Sequence, residues 1–192
     1  MPARTRKQQQ SATRTRKRSA RKASPSRRRR QTRRPADALA LLKDDHREVE
    51  SLFSRFEKAR GEAEKGRLGE KICNELDVHA RIEEQLFYPA VREAISDDEL
   101  MNEAEVEHAS AKDLIGQIQA SSPSDERYDA LVKVLAEYVR HHVKEEEREM
   151  FPKARRSGVD LVELGEKLRE RKREETKGGG GLGSIIFGRA AS

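Results

Sequence analysis

Four stretches of this chain carry apolar residues at helical spacing, and each sets a histidine on its apolar stripe. The first holds Leu42, His46, Val49, Phe53 and Phe56. The second holds Ile72, Leu76, His79, Glu83, Leu86 and Ala90, and the third Met101, Ala104, His108, Ala111, Ile115 and Ile118. The fourth holds Leu135, Val139, His142, Glu146 and Met150. In the second and fourth stretches a glutamate follows the histidine by one turn. One histidine on a core face is ordinarily a hydrogen-bonded structural residue. Four imidazoles and two carboxylates facing one narrow core lose their hydration together, a cost that requires a compensating partner. A bound cation supplies one.

The second and fourth stretches also repeat each other. His79-Ala-Arg-Ile-Glu83-Glu-Gln-Leu-Phe-Tyr-Pro89 aligns with His142-Val-Lys-Glu-Glu146-Glu-Arg-Glu-Met-Phe-Pro152. His46 and His108 precede these blocks at nearly equal distances, so the chain reads as two helical hairpins with matching donor sets related by a pseudo-twofold axis. The i, i+4 spacing places His and Glu on one helix face. Facing helices then offer imidazoles and carboxylates to a pair of metal ions inside a bundle. Imidazole and carboxylate without thiolate suit iron or manganese and do not exclude zinc. The single cysteine, Cys73, excludes an intrachain disulfide framework and a Cys-rich zinc site.

The chain has 192 residues, of which 40% are charged and 34% hydrophobic, with no tryptophan. That permits one narrow helical core with tails and excludes a large α/β core. Breaks near Gly61–Gly66, Ser96–Asp98 and Ser121–Ser124 are short, which favours antiparallel neighbours. The expected fold class is all-α, an up-down-up-down antiparallel four-helix bundle over residues 36–157. An extra helix is expected within 158–175 and a flexible Gly-rich tail over 176–192. No apolar run approaches the ~20 residues of a membrane span. No membrane partner is expected, and the expected location is the cytoplasm. The oligomeric state is not legible.

Residues 1–35 differ in kind. They carry 15 Lys and Arg and no acid, leaving 26 bases against 35 acids in the remainder, a net −9. With no bulky apolar residue after Met1, this segment is expected to be a disordered basic arm. Its guanidinium groups suit non-specific contact with DNA or RNA phosphates, and the absence of aromatic residues argues against stacking on single strands. The alternative uses are a solubilising tail or an address signal at Lys17-Arg18 and Arg27–Arg30.

At Leu42-Lys-Asp-Asp-His46-Arg-Glu-Val-Glu-Ser-Leu-Phe53, the His79/Glu83 block, Glu107-His108 and the His142/Glu146 block, the chain resembles hemerythrin-like, HHE cation-binding domains. The resemblance covers roughly residues 37–157. It implies a four-helix bundle around a non-haem centre of two iron ions, oxo- or hydroxo-bridged, with manganese or zinc as lesser candidates. Carried onto this chain, His46 and His79 would bind one iron, His108 and His142 the other, and Glu83 and Glu146 would bridge them. Respiratory members have a fifth histidine one turn from the third-helix ligand. Here the positions at that spacing are Ala104 and Lys112, so a water or Glu105 would complete the less furnished iron.

Several neighbours bear on the same chemistry. His141 points about 100° away from His142 and reads as solvated or as a support to the ligands. Glu84, Glu145 and Glu147 read as a solvated face, with Glu84 or Glu145 as candidates to orient an imidazole. Tyr88 and Phe151 read as packing at the bundle end, with a tyrosyl role near the metals as the alternative. Cys73 reads as a small core residue. The function expected from these features is binding or sensing of iron, dioxygen or a related small oxidant, with the arm holding the protein near nucleic acid. The alternatives are a di-iron oxidase, peroxidase or nitric-oxide-handling enzyme, and a nucleic-acid-associated stress-protection protein.

Overall fold

A computed structural model describes residues 37–177, and these are helical throughout apart from short connections. The elements are α1 (Ala38–Lys58), α2 (Glu62–Ile82), a π-helical turn (Glu83–Phe87), α3 (Tyr88–Ile95), α4 (Asp98–Gln119), α5 (Tyr128–Glu145), a second π-helical turn (Glu146–Met150), α6 (Phe151–Arg156) and α7 (Leu161–Lys177). Among the described residues there is no strand, and no helix is long and apolar enough to cross a membrane. The basic arm and residues 178–192 of the expected tail lie outside the described residues.

Local chemistry sets the helix ends. Asp37 caps α1 by accepting from the Ala40 N–H at 2.9 Å, and Asp97 caps α4 by accepting from Leu100 at 3.3 Å. Ser96 ends α3 in the left-handed conformation at φ 50°. The first break is narrower than the sequence suggests, because Gly66 lies within α2. A Cβ there would sit 2.8 Å from the Pro123 ring, and one at Gly69 would sit 2.1 Å from the Tyr128 hydroxyl. These glycines therefore let the segment before α5 lie directly against α2.

The two π turns coincide with the two repeated blocks, and the prolines explain them. Pro89 and Pro152 have no N–H to donate, and their rings crowd the carbonyl four residues back, which belongs to Gln85 and Arg148. Widening the preceding turn relieves the clash. The Tyr88 N–H then donates to the Glu83 carbonyl and the Phe151 N–H to that of Glu146, five residues back. The extra residue rotates everything that follows. The apolar stripe of the second stretch continues through Phe87 and Val91, each wholly buried, and not through Leu86 and Ala90, which are only partly covered.

The core divides into two apolar clusters. One gathers Leu39, Leu42, Ile82, Phe87, Met101 and Phe151, and the other Val49, Phe53, Ile72, Leu76, Ile115 and Leu135. Each of α1, α2, α4 and α5 passes from one cluster toward the other, and its histidine falls at the crossing. Helix α1 packs on α2, α4 on α5, and α2 on α4, with α1 also touching α5. Helix α7 lies against α1 and α2. It buries Leu164 and Leu168 in the first cluster and ties down through the Arg81–Glu175 pair at 3.0 Å.

Candidate metal centre

His46, His79, Glu83, His108, His142 and Glu146 are the buried polar residues among those described, and the fold brings all six together between the two apolar clusters. Donor atoms of His46, His79, Glu83 and Glu146 lie within 4.8 Å of one another, as do those of Glu83, His108 and His142. Glu83 is common to both groups. Its Oε2 is 3.1 Å from His79 Nε2 and 3.5 Å from His108 Nε2, while Glu146 Oε2 is 3.3 Å from His46 Nε2.

Outside the cluster each imidazole turns its Nδ1 to a second carboxylate. His46 Nδ1 donates to Glu147 at 2.9 Å, His108 Nδ1 to Glu84 at 3.0 Å and His142 Nδ1 to Glu107 at 2.9 Å. The fourth contact, His79 Nδ1 to Asp45, is 3.7 Å, a charge contact longer than a hydrogen bond. Carboxylates accept and do not donate, so the three hydrogen bonds keep the proton on Nδ1 of His46, His108 and His142 and aim an Nε2 lone pair inward. The pattern obeys the pseudo-twofold relation. The residue before His46 serves His79, and the residue before His108 serves His142. The residues after Glu83 and Glu146 serve His108 and His46.

Sequence reasoning found part of this outer ring. Glu84, read first as part of a solvated face, takes the alternative role of orienting an imidazole, whereas Glu145 contacts the exposed His141 and orients no buried histidine. Glu147, assigned to a solvated face, holds His46, and Asp45 was overlooked. The acid next to a ligand position in all four blocks was the available signal. Glu105 does not reach the site; it is exposed and paired with Arg92 at 2.6 Å. Its place near His108 is taken by Tyr88, whose hydroxyl is 3.0 Å from His108 Nε2 and 3.4 Å from His142 Nε2. Because of the π turn this phenol points among the imidazoles. Its counterpart Phe151 stacks on His46 at 5.9 Å between ring centroids. Cys73 is buried, and burial pushes its thiol up to about 12, as befits an inert core residue.

The electrostatics of the cluster call for a cation. Glu146 and Glu83 oxygens, His46 Nε2 and both His79 nitrogens are buried without hydrogen-bond partners. His108 Nε2 and His142 Nε2 approach to 3.2 Å with both Nδ1 atoms committed to carboxylates, so two lone pairs meet unless a proton or metal ion stands between them. Burial alone would lower the His79 pKa, but the Glu83 charge and Asp45 outweigh it and raise it to about 10. Burial likewise opposes ionisation of Glu83, yet His79, His108 and His142 hold its carboxyl below the usual range. Glu146 is raised, by burial and then by the Glu83 charge. Burial, followed by the nearby carboxylates, holds the Tyr88 phenol well above its ordinary value. The residues thus fit metal cations in type and orientation. Beside them lies a cavity of about 40 Å³ that reaches all four histidines, with Val49, Leu76, Ile115 and Val139 among its apolar lining and Asp45, Glu107, Lys112 and Tyr138 among its polar lining.

The profile of the hemerythrin HHE cation-binding domain matches residues 37–154. The chain belongs to this family, a class of metal-cation-binding helical proteins. It is similar to the crystal structure of a hemerythrin HHE cation-binding domain-containing protein from Mycobacterium kansasii. The TM-score is 0.65 at 27% identity, over 74% of this chain and 88% of that one. It is also 31% identical over 111 residues to a DNA nickase of Nostoc sp.. That match spans 58% of this chain but 31% of the length of the nickase.

Proposed function

We propose that this protein holds two iron ions in a non-haem, carboxylate-bridged centre and binds or senses iron, dioxygen or a related small oxidant. The observation that carries the reading is the inward convergence of four imidazoles with Glu83 and Glu146, whose carboxylate oxygens, like His46 Nε2 and His79 Nε2, are buried without hydrogen bonds, behind an outer ring of carboxylates. His46, His79, Glu83 and Glu146 would hold one ion, and Glu83, His108 and His142 the other. The Tyr88 phenol lies beside the second of these donor groups, 3.0 Å from His108 Nε2. The alternation of the helices between the two apolar clusters supports an up-down-up-down bundle as the frame. When bound, such a pair supplies redox change and Lewis acidity. The chain's own residues do the rest. Glu147, Glu84 and Glu107 fix the tautomers of His46, His108 and His142, and Asp45 faces His79 Nδ1. The cavity beside the cluster has room for a molecule of two or three heavy atoms.

Metal analysis and an optical spectrum of protein purified without chelator test the reading. Near two irons per chain, with a spectrum that cycles on exposure to oxygen, is the expected result. Saturation at one metal per chain would defeat the dinuclear centre, and sustained turnover of peroxide would favour the oxidase or peroxidase alternative. A second reading concerns location. The 15 basic residues of the arm favour phosphate contact, and the name of the Nostoc relative points the same way, to DNA.

A further inference from the structure

Outside the buried cluster, one more group of three donors lies within ligand distance of one another: Glu107, His141 and Glu145. His141 Nε2 is 3.3 Å from Glu145 Oε1, one turn along α5, and 3.6 Å from Glu107 Oε1 on α4. The histidine side chain is 59% exposed, so this group meets solvent. Glu107 joins it to the interior. Its other oxygen, Oε2, accepts the 2.9 Å hydrogen bond from buried His142 Nδ1. One carboxylate therefore touches a surface imidazole and a core imidazole at once.

The internal repeat shows that this group is a departure from symmetry. The residues before His79 and Glu83 are Val78 and Ile82, whereas those before His142 and Glu146 are His141 and Glu145. The counterpart of Glu107 is Asp45, and there Lys172 of α7 stands 2.8 Å away. At the outer face of one hairpin α7 thus brings Lys172 to Asp45 and Glu75. The same face of the other hairpin presents a histidine and two acids to water. The ion-pair partners seen for Glu107 and Glu145 are histidines, His141 and His142. The first carboxylate is already matched by an ammonium group, whereas the second pair of acids is open to a dication.

We infer that His141, Glu145 and Glu107 form a surface capture site for a divalent transition-metal ion on its way to the buried cluster. The inference rests on the reading of that cluster as a metal centre. One imidazole and two carboxylates suit Fe2+, Mn2+ or Zn2+. Exposure leaves the remaining positions to water, which makes the site weak and exchangeable, as a transit site requires. Glu107 couples this site to the interior, since its Oε2 accepts from the Nδ1–H of buried His142.

The test uses the metal-stripped full-length chain mixed with Fe2+ under argon, with free Fe2+ read by a chromophoric chelator. His141→Ala and Glu145→Gln alter residues that touch none of the six buried donors. Both variants should reach the parent's interior iron content but fill roughly tenfold more slowly. The filled parent should hold one further, weakly bound Fe2+ that both variants lack. An unchanged filling rate in both variants, or no further Fe2+ on the parent, overturns the capture site and leaves the interior centre standing. A parent that binds only the weak, His141-dependent ion overturns the interior centre instead, and a parent that binds no iron overturns both.

Discussion

At the scale of residues, the structure separates two kinds of glutamate that stand side by side in sequence. Glu83 and Glu146 face the cluster, while Glu84 and Glu147 hold His108 and His46 from outside. Glu83→Gln should abolish tight binding at both positions, since Glu83 belongs to both donor groups. Glu84→Gln and Glu147→Gln should weaken metal affinity by roughly 10–100-fold, the usual cost of losing the partner that orients a ligating imidazole. Titration against a competing chelator measures this, and affinities equal to the parent's would remove Glu84 and Glu147 from the centre. The six inward residues were legible because a polar residue on an apolar stripe violates the pattern around it. The outer ring was not, because an acid on a charged helix face obeys that pattern; only the cross-helix distance distinguishes Glu147 from Glu145. The raised His79 pKa carries a second expectation. Without metal the group is protonated at neutral pH. Its pairing with Glu83 stabilises the metal-free fold fully below the unfolded value near 6.5, and that contribution is lost as pH rises through about 10. A metal ion must displace this proton. Adding metal to the stripped chain at pH 8 in weak buffer should therefore release protons, and affinity should climb with pH up to that value. An indicator dye that records no release would show that His79 is not a ligand.

At the scale of elements, the stripes of the four long helices were readable from spacing, but the π turns were not. Their cause is visible in retrospect in Pro89 and Pro152, since each proline forces the ladder to open one turn earlier. The consequence is functional, for the extra residue brings Tyr88 and Phe151 round to the imidazoles. Helix α7 was weakly legible because its apolar residues are few among many charges. Two of them suffice to seat it, Leu164 and Leu168, in the cluster that holds Leu39 and Ile82. Leu168 is wholly buried. Leu168→Ala should cost about 2–5 kcal/mol, the usual range for a large-to-small change in a packed core. Urea unfolding followed by circular dichroism measures it. A loss under about 0.5 kcal/mol, the scale of a surface substitution, would mean that α7 is not docked in solution. Because α7 also carries Lys172 to Asp45, undocking it should loosen the orientation of His79 as well.

At the scale of the whole molecule, two charge systems share one chain and should act separately. The described helices place buried carboxylates and imidazoles where a metal ion is the natural counterion. Removing the metal should then lower the melting temperature, since a ligand that binds only the folded state adds about 4 kcal/mol at a thousandfold excess over its dissociation constant. A melting temperature indifferent to complete chelation would make the histidines ordinary polar core residues. The arm obeys different physics. Its 15 cations have no apolar anchor and no acid among them, so phosphates are the contacts open to it, and phosphate contacts carry no base sequence. If about half of the cations engage a duplex, the slope of log affinity against log salt should be roughly −6 to −7. Binding would be strong in dilute salt and faint near physiological salt. Metal content should not change it, because the six buried donors all lie beyond residue 45. A chain beginning at Pro35 should keep its metal and lose the nucleic acid. Salt-sensitive DNA binding at full strength in that shortened chain would assign the contact to the acidic remainder, against its net charge of −9. A full-length chain that ignores DNA and RNA even in dilute salt would leave the arm as an address signal, or as a tail neutralised by the acidic remainder.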